Sequence, residues 1–207
     1  MLQERLRRYV ADGTLRPAGI RGFLPAGADG DAVVVFAPDG SRELARFDFP
    51  RQAEPPHLCL ADFVLPLSSG VRDVLGFQLA TCGVAASARE KALFEAGEFT
   101  EYLYLHGLSV EVAEAAAELL HRRLRQDWGI ADRDAPDPAA ILRKDYRGCR
   151  YSFGYPACPD LAGQVPLLQL LGADRLGVSL TPTMQMVPEQ STSALVFHHP
   201  RARYFSA

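Results

Sequence analysis

The order in which strand-like and helix-like patterns follow one another is the feature that most constrains the fold. Residues 31–36 and 43–49 carry strand-like patterns and flank the turn signal Pro38-Asp39-Gly40, which predicts a β-hairpin. Further strands are predicted over 74–82, 176–181 and 193–198, with 184–187 as a shorter piece. Because these strands follow one another in meanders instead of alternating with helices, the sequence predicts an α+β fold: a single domain with a twisted, mainly antiparallel β-sheet flanked by helices.

One long amphipathic helix is predicted over 107–126, where apolar residues recur at helical spacing. Its polar face carries Glu114 and Glu118, and the spacing of Glu118 and Arg122 favours a local ion pair. The run 59–65 is apolar apart from one acid, Asp62, and we interpret it as a strand. Shorter helices are predicted over 1–10, 87–97, 137–146 and 165–171, the last of them capped by Gly172.

Length, charge and cysteine usage limit the possible partners. The 207 residues fit one large domain or at most two small ones, and we assign one domain, 1–207, to which residues 1–12 contribute a leading helix. With 22 basic and 25 acidic residues the net charge is −3, which predicts neither a nucleic-acid partner nor a membrane partner. Four cysteines without a Cys-x-x-Cys pair predict reduced thiols and a cytoplasmic location.

Residues 150–160 read Arg-Tyr-Ser-Phe-Gly-Tyr-Pro-Ala-Cys-Pro-Asp and are poor material for a regular helix or strand. Proline fixes φ and removes a backbone donor, whereas glycine reaches backbone angles that other residues avoid. The run therefore predicts a shaped loop whose backbone groups are free to meet a ligand.

Two charged residues suggest what that ligand is. Arg150 offers five donors in a fixed fork and could clamp a carboxylate, or it could form a salt bridge between loop and core. Asp62 either points outward into solvent or is held for a cationic ligand group, since a buried carboxylate without a partner is costly. Together the two suggest a zwitterionic ligand, such as an amino acid or its adenosylated derivative.

Other chemistries are weakly indicated. No metal site is expected, because the adjacent His198 and His199 end a predicted strand and point to opposite faces. Cys158 could act as a thiolate nucleophile, but the sequence shows no base for it, and a small packing role is commoner. No catalytic residue is assigned.

The pattern Arg150-x-x-x-Gly-Tyr-Pro-Ala-Cys-Pro-Asp160 resembles the signature of the C-terminal activation domain of cobalamin-dependent methionine synthase. Other segments in the same order also resemble that family. They are 21–26, 60–64, 69–73, 75–76, 113–115, 120–123, 188–194 and 199–205. The resemblance therefore covers nearly the whole chain.

The resemblance implies S-adenosylmethionine as ligand. In that family the domain supplies the methyl group that reactivates cobalamin after its oxidation to cob(II)alamin, with one electron from a flavodoxin-type reductant. It implies that cobalamin is carried by another domain of the same enzyme, and that zinc belongs only to the homocysteine module. The folate, homocysteine and cobalamin modules of this methyltransferase are not represented in these 207 residues.

Carried over by residue, the resemblance implies that Asp62 meets the α-amino group and Arg150 the carboxylate of S-adenosylmethionine. It implies a ligand contact for Glu114, which the helical pattern alone would leave in solvent. Tyr155 would lie against the sulfonium and ribose. Backbone groups of the loop would hold the adenosine; its residues are Gly154, Tyr155, Pro156, Ala157 and Cys158.

The chain also departs from the family pattern. Lys144 stands where relatives often have glutamate, and Val196 where they often have tyrosine. Residues 151–153 replace a common Pro-Ala-Pro, and Leu161 replaces a common histidine. Two alternatives stay open: a module that docks on a corrinoid protein but has lost S-adenosylmethionine binding, and a thiol enzyme that uses Cys158.

Overall fold

The computed structural model describes residues 1–131, 134 and 146–207. Its main feature is a six-stranded antiparallel sheet with strand order β3-β2-β1-β4-β8-β5. These strands are β1 Ala18–Asp29, β2 Ala32–Phe36, β3 Glu43–Asp48, β4 Asp73–Thr81, β5 Cys149–Tyr151 and β8 Ser191–Phe197. A two-stranded ribbon is formed by β6 Ser179–Leu180 and β7 Met186–Val187. The predicted α+β class with a mainly antiparallel sheet is confirmed.

Four α-helices accompany the sheet in the part of the chain that the structure describes. They are α1 Leu2–Ala11, α2 Val84–Glu95, α3 Phe99–Asp127 and α4 Gln164–Leu171. The long helix α3 begins eight residues earlier than its pattern predicted, and α4 ends as predicted at Gly172, which adopts the left-handed conformation. The helix predicted over 137–146 lies largely outside the described residues. No helix among the described residues combines the length and apolar character needed to cross a membrane.

The two faces of the sheet pack against different partners. Along β4, Leu75, Phe77 and Leu79 enter the large core, which also holds the buried leucines of α4. The alternate residues Gln78 and Ala80 meet α3, where the Gln78 side chain donates to the backbone oxygen of Ala117 at 3.1 Å. The sheet therefore lies between α3 on one face and the large core on the other.

Strand β1 is the longest strand that the sequence pattern missed. It pairs along most of its length with β4 although it contains Gly19, Gly22, Pro25 and Gly27, residue types that are depleted in strands. A Cβ at Gly19 would lie 2.5 Å from the Leu120 side chain of α3, so a glycine there lets helix and sheet approach closely. Helix packing, and not intrinsic strand propensity, explains this strand.

Two predicted strands were wrong. Residues 60–63 form a 3₁₀ helix, because the Asp62 carboxylate accepts from the backbone N–H of Cys59 while its own N–H donates to the Cys59 carbonyl. Such local side-chain bonds compete with strand pairing, so Leu60, Asp62 and Val64 do not share a strand face. In 176–181 only Ser179–Leu180 is extended, since residues 173–176 form a 3₁₀ turn that ends at the left-handed Gly177.

Candidate ligand-binding site

Arg150 is positioned by a short edge strand. In β5, Arg150 pairs with Val196 of β8 and Tyr151 pairs with Leu195. Since neighbouring residues of a strand point to opposite faces, Tyr151 enters the large core while Arg150 points to the face covered by α3. The run 150–160 therefore begins as a strand, contrary to the prediction that it is loop throughout.

On that face Arg150 meets two carboxylates of α3. Its Nη2 atom donates to Glu118 Oε1 at 2.7 Å and to Glu114 Oε2 at 3.2 Å. Glu118 thus binds Arg150, and no ion pair joins it to Arg122 among the described residues. Within the described part of the chain, the Nε and Nη1 atoms of Arg150 contact no protein acceptor, so two of its donor atoms remain available to a ligand.

The loop after β5 is a tight turn that closes on itself. The N–H of Gly154 donates to the Cys158 carbonyl and the N–H of Cys158 donates to the Tyr155 carbonyl, both at 2.9 Å. Gly154 has φ +89°, and a Cβ there would come within 2.8 Å of the Leu161 side chain. Two of the backbone donors that were predicted to be free therefore hold the turn instead.

Two connected cavities open beside this turn. The smaller, about 260 Å³, is lined by Arg150 together with Glu114, Tyr151, Ser152, Tyr155, Ala157, Cys158, Thr192 and Tyr204. The larger, about 710 Å³, shares Glu114, Ser152, Tyr155 and Thr192 with it and extends past Phe153, Leu161, Met184 and Pro188. We call the two cavities together the ligand cleft. Its small part is charged and its large part carries most of the apolar side chains.

The structure brings together most of the residues predicted for the site. Glu114, Arg150, Tyr155, Ala157 and Cys158 all line the small cavity. Gly154 and Pro156 do not line the cleft, although they shape the turn that forms its wall.

Asp62 lies outside the lining of the cleft and forms a separate charged group. Its two carboxylate oxygens accept from Arg51 Nη2 and Nη1, each at 2.9 Å, and Arg51 also binds Asp31 and the His57 carbonyl. These bonds from Arg51 lower the pKa of Asp62 from its usual range. The next residue, Phe63, stacks on Tyr151, a residue that lines the small cavity, with ring centroids 6.4 Å apart.

The surroundings of Cys158 do not activate its thiol. Its thiol is 2 % exposed and donates to the Ser152 carbonyl at 3.0 Å. Burial raises the pKa of Cys158 to about 12, so the thiol stays protonated near neutral pH. The thiol therefore lacks the activation that a nucleophile requires.

Sequence comparison identifies the family. The family model described as "Vitamin B12 dependent methionine synthase, activation domain" matches residues 2–207. The chain belongs to this family. It is 41 % identical over 215 residues to the methionine synthase of Mycobacterium tuberculosis (strain ATCC 25618 / H37Rv) and 40 % identical over 217 residues to that of Mycobacterium leprae (strain TN). Those matches include 97 % and 98 % of this chain, but the chain spans only 18 % of the length of each relative.

A solved structure of the same family has the same fold. The crystal structure of the MetH reactivation domain bound to AdoHcy superposes with a TM-score of 0.94 at 30 % identity. The superposition covers 99 % of this chain and 65 % of that chain. The resemblance that the sequence motifs indicated is therefore confirmed over nearly the whole chain.

The family pattern points to three further positions of this activation domain. Tyr204 lines the small cavity although it was not among the predicted site residues; its signal was the C-terminal match over 199–205. Val196, a departure from the family pattern, is fully buried in β8 and does not line the cleft. Lys144, the other departure, lies outside the described residues.

The residues that the structure describes offer no alternative metal centre, since no three His, Cys, Asp or Glu side chains are grouped to hold an ion. A third cavity of about 740 Å³ lies beside α4 and shares Thr181 and Met184 with the large part of the cleft. It contains none of the predicted site residues, so the cleft remains the candidate site of this activation domain.

Proposed function

We propose that this chain binds S-adenosylmethionine in the ligand cleft and positions its methyl group for transfer to cobalamin carried by another domain. The observation that carries the proposal is the state of Arg150, which lines the small cavity with two donor atoms that contact no protein acceptor among the described residues. A ligand carboxylate can accept a charge-assisted hydrogen bond from either free atom, and it becomes bidentate if it also displaces Glu114 from Nη2.

The rest of the cleft suits the other parts of the ligand. Tyr155 is 57 % exposed and lines both cavities, so its ring is available to a sulfonium at their junction. The large cavity, with Phe153, Leu161 and Met184, has the size and the apolar lining that an adenosine group needs. A solved relative at 30 % identity is bound to AdoHcy, which supports a ligand of this class.

Asp62 is assigned to the α-amino group as part of the proposal. A carboxylate has about four acceptor sites, and Arg51 and the Cys59 N–H use three of them, which leaves one for an ammonium. The side chain is 36 % exposed, so the remaining site is accessible. In this assignment Arg51 orients Asp62, and Glu114 contributes a second negative charge beside the cationic ligand.

Cobalamin on the neighbouring domain, reduced by one electron from a flavodoxin-type protein, would supply the nucleophile that takes the methyl group. The residues of this chain need to provide no acid or base, because a sulfonium leaves as a neutral thioether. Their contribution is to bind the amino-acid part at Arg150, to seat the adenosine, and to hold the methyl group in line for displacement.

Calorimetric titration of the chain with S-adenosylmethionine and with S-adenosylhomocysteine tests the proposal. We expect 1:1 binding of both, and binding weaker by about 100-fold for 5′-methylthioadenosine, which lacks the carboxylate and the amino group. Absence of heat with either adenosyl ligand at millimolar concentration would disprove the proposal. If the chain nevertheless bound tightly to a cobalamin-carrying domain, the result would support the alternative function, a module that docks on a corrinoid protein and has lost S-adenosylmethionine binding.

A further inference from the structure

A buried carboxylate away from the ligand cleft joins three parts of the fold. Glu90 of α2 is 6 % exposed, and its Oε1 accepts from the Ser109 hydroxyl of α3 at 2.9 Å. Its Oε2 accepts from Gln190 Nε2 at 2.7 Å and lies 3.1 Å from His106 Nδ1. A buried carboxylate is costly unless its bonds are satisfied, and Ser109, Gln190 and His106 satisfy those of Glu90.

Gln190 connects this carboxylate to the wall of the cleft. Its side chain is 3 % exposed and bonded at both ends, since Gln190 Oε1 also accepts from the Ser87 hydroxyl at 2.9 Å. The residues on either side of Gln190 line the large cavity: Pro188, Glu189, Ser191 and Thr192. Thr192 also lines the small cavity that contains Arg150.

The sheet holds only part of this wall segment: Ser191 and Thr192 belong to β8 and pair with β4, whereas Pro188 and Glu189 precede the strand. Gln190 O accepts from the Cys82 N–H at 3.0 Å, and the Ser191 hydroxyl donates to Thr81 Oγ1 at 2.8 Å. Both bonds attach to the end of β4 and fix the segment along one line. The bond from Gln190 to Glu90 fixes it in a second direction, toward α2, and so sets its rotation about that line.

We propose that Glu90 is a positioning residue for the ligand cleft: through Gln190 it fixes the 188–192 wall against which the adenosyl ligand is held. The inference rests on the proposed function, because the wall matters only if the cleft holds a ligand. Glu90 touches neither cavity, so it acts through Gln190 and not by contact with the ligand.

The test uses the exchange of acid and amide between the two positions. Gln190→Glu places a second carboxylate where the first lies 2.7 Å away, and two carboxylates that close cannot both ionise without cost. Adding Glu90→Gln restores one acid and one amide in the pair. We expect Gln190→Glu to weaken S-adenosylhomocysteine binding by about tenfold or more, and the double variant to recover it to within about threefold of the parent chain.

Loss of stability alone must be separated from loss of positioning. Leu15→Ala is the matched control, because Leu15 is buried in the core between α1, α2 and α3 and its aliphatic side chain forms no hydrogen bond to the Glu90 network. It should lower the unfolding midpoint and leave ligand affinity within about twofold. Ser109→Ala removes one bond to Glu90 at a residue that does not line the cleft and should weaken affinity by about threefold, which keeps the test available if Gln190→Glu does not fold.

Hydrogen exchange of the ligand-free chain provides a readout that does not depend on the ligand. Amide exchange over 188–192 should accelerate in Gln190→Glu and return in the double variant, whereas Leu15→Ala should not change it selectively. If the parent chain binds S-adenosylhomocysteine but Gln190→Glu binds equally well with unchanged exchange, the positioning role is wrong and the proposed function stands. If the parent chain binds no adenosyl ligand, the proposed function fails, and unchanged exchange in Gln190→Glu would refute the positioning role separately.

Discussion

Arg51 and Arg150 are both bound by two carboxylates, yet the two arginines differ in what they can still bind. Arg51 uses Nε, Nη1 and Nη2 on Asp31, Asp62 and the His57 carbonyl. Toward the described residues, Arg150 uses only Nη2, which is shared between Glu114 and Glu118. An arginine with all its donors bound to protein maintains structure, whereas one with donors in reserve beside a cavity is available to a ligand.

The carboxylates around the two arginines differ in the same way. Glu114 is 54 % exposed on its side chain and is held by one bond from Arg150 at 3.2 Å, while Asp62 is fixed by a bidentate bond and a backbone N–H. A ligand can therefore rearrange the side chains around Arg150 at low cost, whereas it must bind Asp62 in the position that Arg51 and the Cys59 N–H already fix. Variants of the two groups therefore test whether ligand binding depends mainly on the Arg150 group and folding stability mainly on the Arg51 group.

The largest effect on ligand binding is expected for Arg150→Ala. The change removes the proposed carboxylate clamp and leaves Glu114 and Glu118 without their cation, so we expect S-adenosylmethionine affinity to fall by about 100-fold, or about 3 kcal/mol. Calorimetric titration measures this loss. Arg150→Lys keeps the charge but not the fork, so its S-adenosylmethionine affinity should lie between that of the parent chain and that of Arg150→Ala. Unchanged affinity in Arg150→Ala would remove the distinction between the two arginines.

Arg51→Ala should show the opposite profile. Its loss leaves Asp31 and Asp62 close together without a cation, and we expect the free energy of unfolding to fall by about 1 kcal/mol, because the group is partly exposed. Affinity should fall by less than about tenfold, since Asp62 stays available to the α-amino group. Urea denaturation and titration of the same sample measure both quantities. A larger effect on affinity than on stability would show that Arg51 belongs to the binding site.

The difference between the two arginine groups also explains what the sequence could predict. Arg150, Glu114 and the loop residues were recognisable because their chemistry and order match a family pattern over nearly the whole chain. The contact between Glu118 and Arg150 could not be recognised, because it joins residues 32 positions apart. The local spacing instead favoured an ion pair between Glu118 and Arg122. Long-range ion pairs depend on which helix face meets which strand, and spacing within one element does not determine that.

The fold shows the same limit. The hairpin of β2 and β3, the long helix and β4 follow from periodicity and turn residues. Strand β1 does not, because its glycines and proline depart from a strand pattern and Gly19 is explained by the approach of Leu120. The 3₁₀ helix at 60–63 does not either, since one Asp62 bond to the Cys59 N–H decides between helix and strand. Packing and single side-chain bonds override propensity at these places.

A smaller effect is expected from acid on the Asp62 group. Because the folded-state pKa of Asp62 is lowered by Arg51, its contribution to stability is present above the unfolded value of about 3.9 and is lost as pH falls through the folded value. Asp62→Asn should therefore reduce the free energy of unfolding at pH 6 by less than about 1 kcal/mol, and the difference from the parent chain should shrink by pH 3. Urea denaturation at the two pH values measures it. Glu111→Gln, an exposed change on α3, is the control, and a pH-independent difference for Asp62→Asn would contradict the role given to the Arg51 bond.

The smallest effect is expected for Cys158→Ser, although Cys158 lines the same small cavity as Arg150. With its pKa raised to about 12 by burial, the thiol is ionised to only about one part in ten thousand at pH 8, so alkylation should be slow and S-adenosylmethionine affinity should change by less than about threefold. Peptide mapping after timed iodoacetamide treatment compares it with the partly exposed Cys149. Fast alkylation of Cys158 that the ligand blocks would instead support a thiol enzyme. Slow alkylation with intact binding would mean that the cavity works through the charge and geometry of Arg150, since the Cys158 thiol would then serve only to pack the turn.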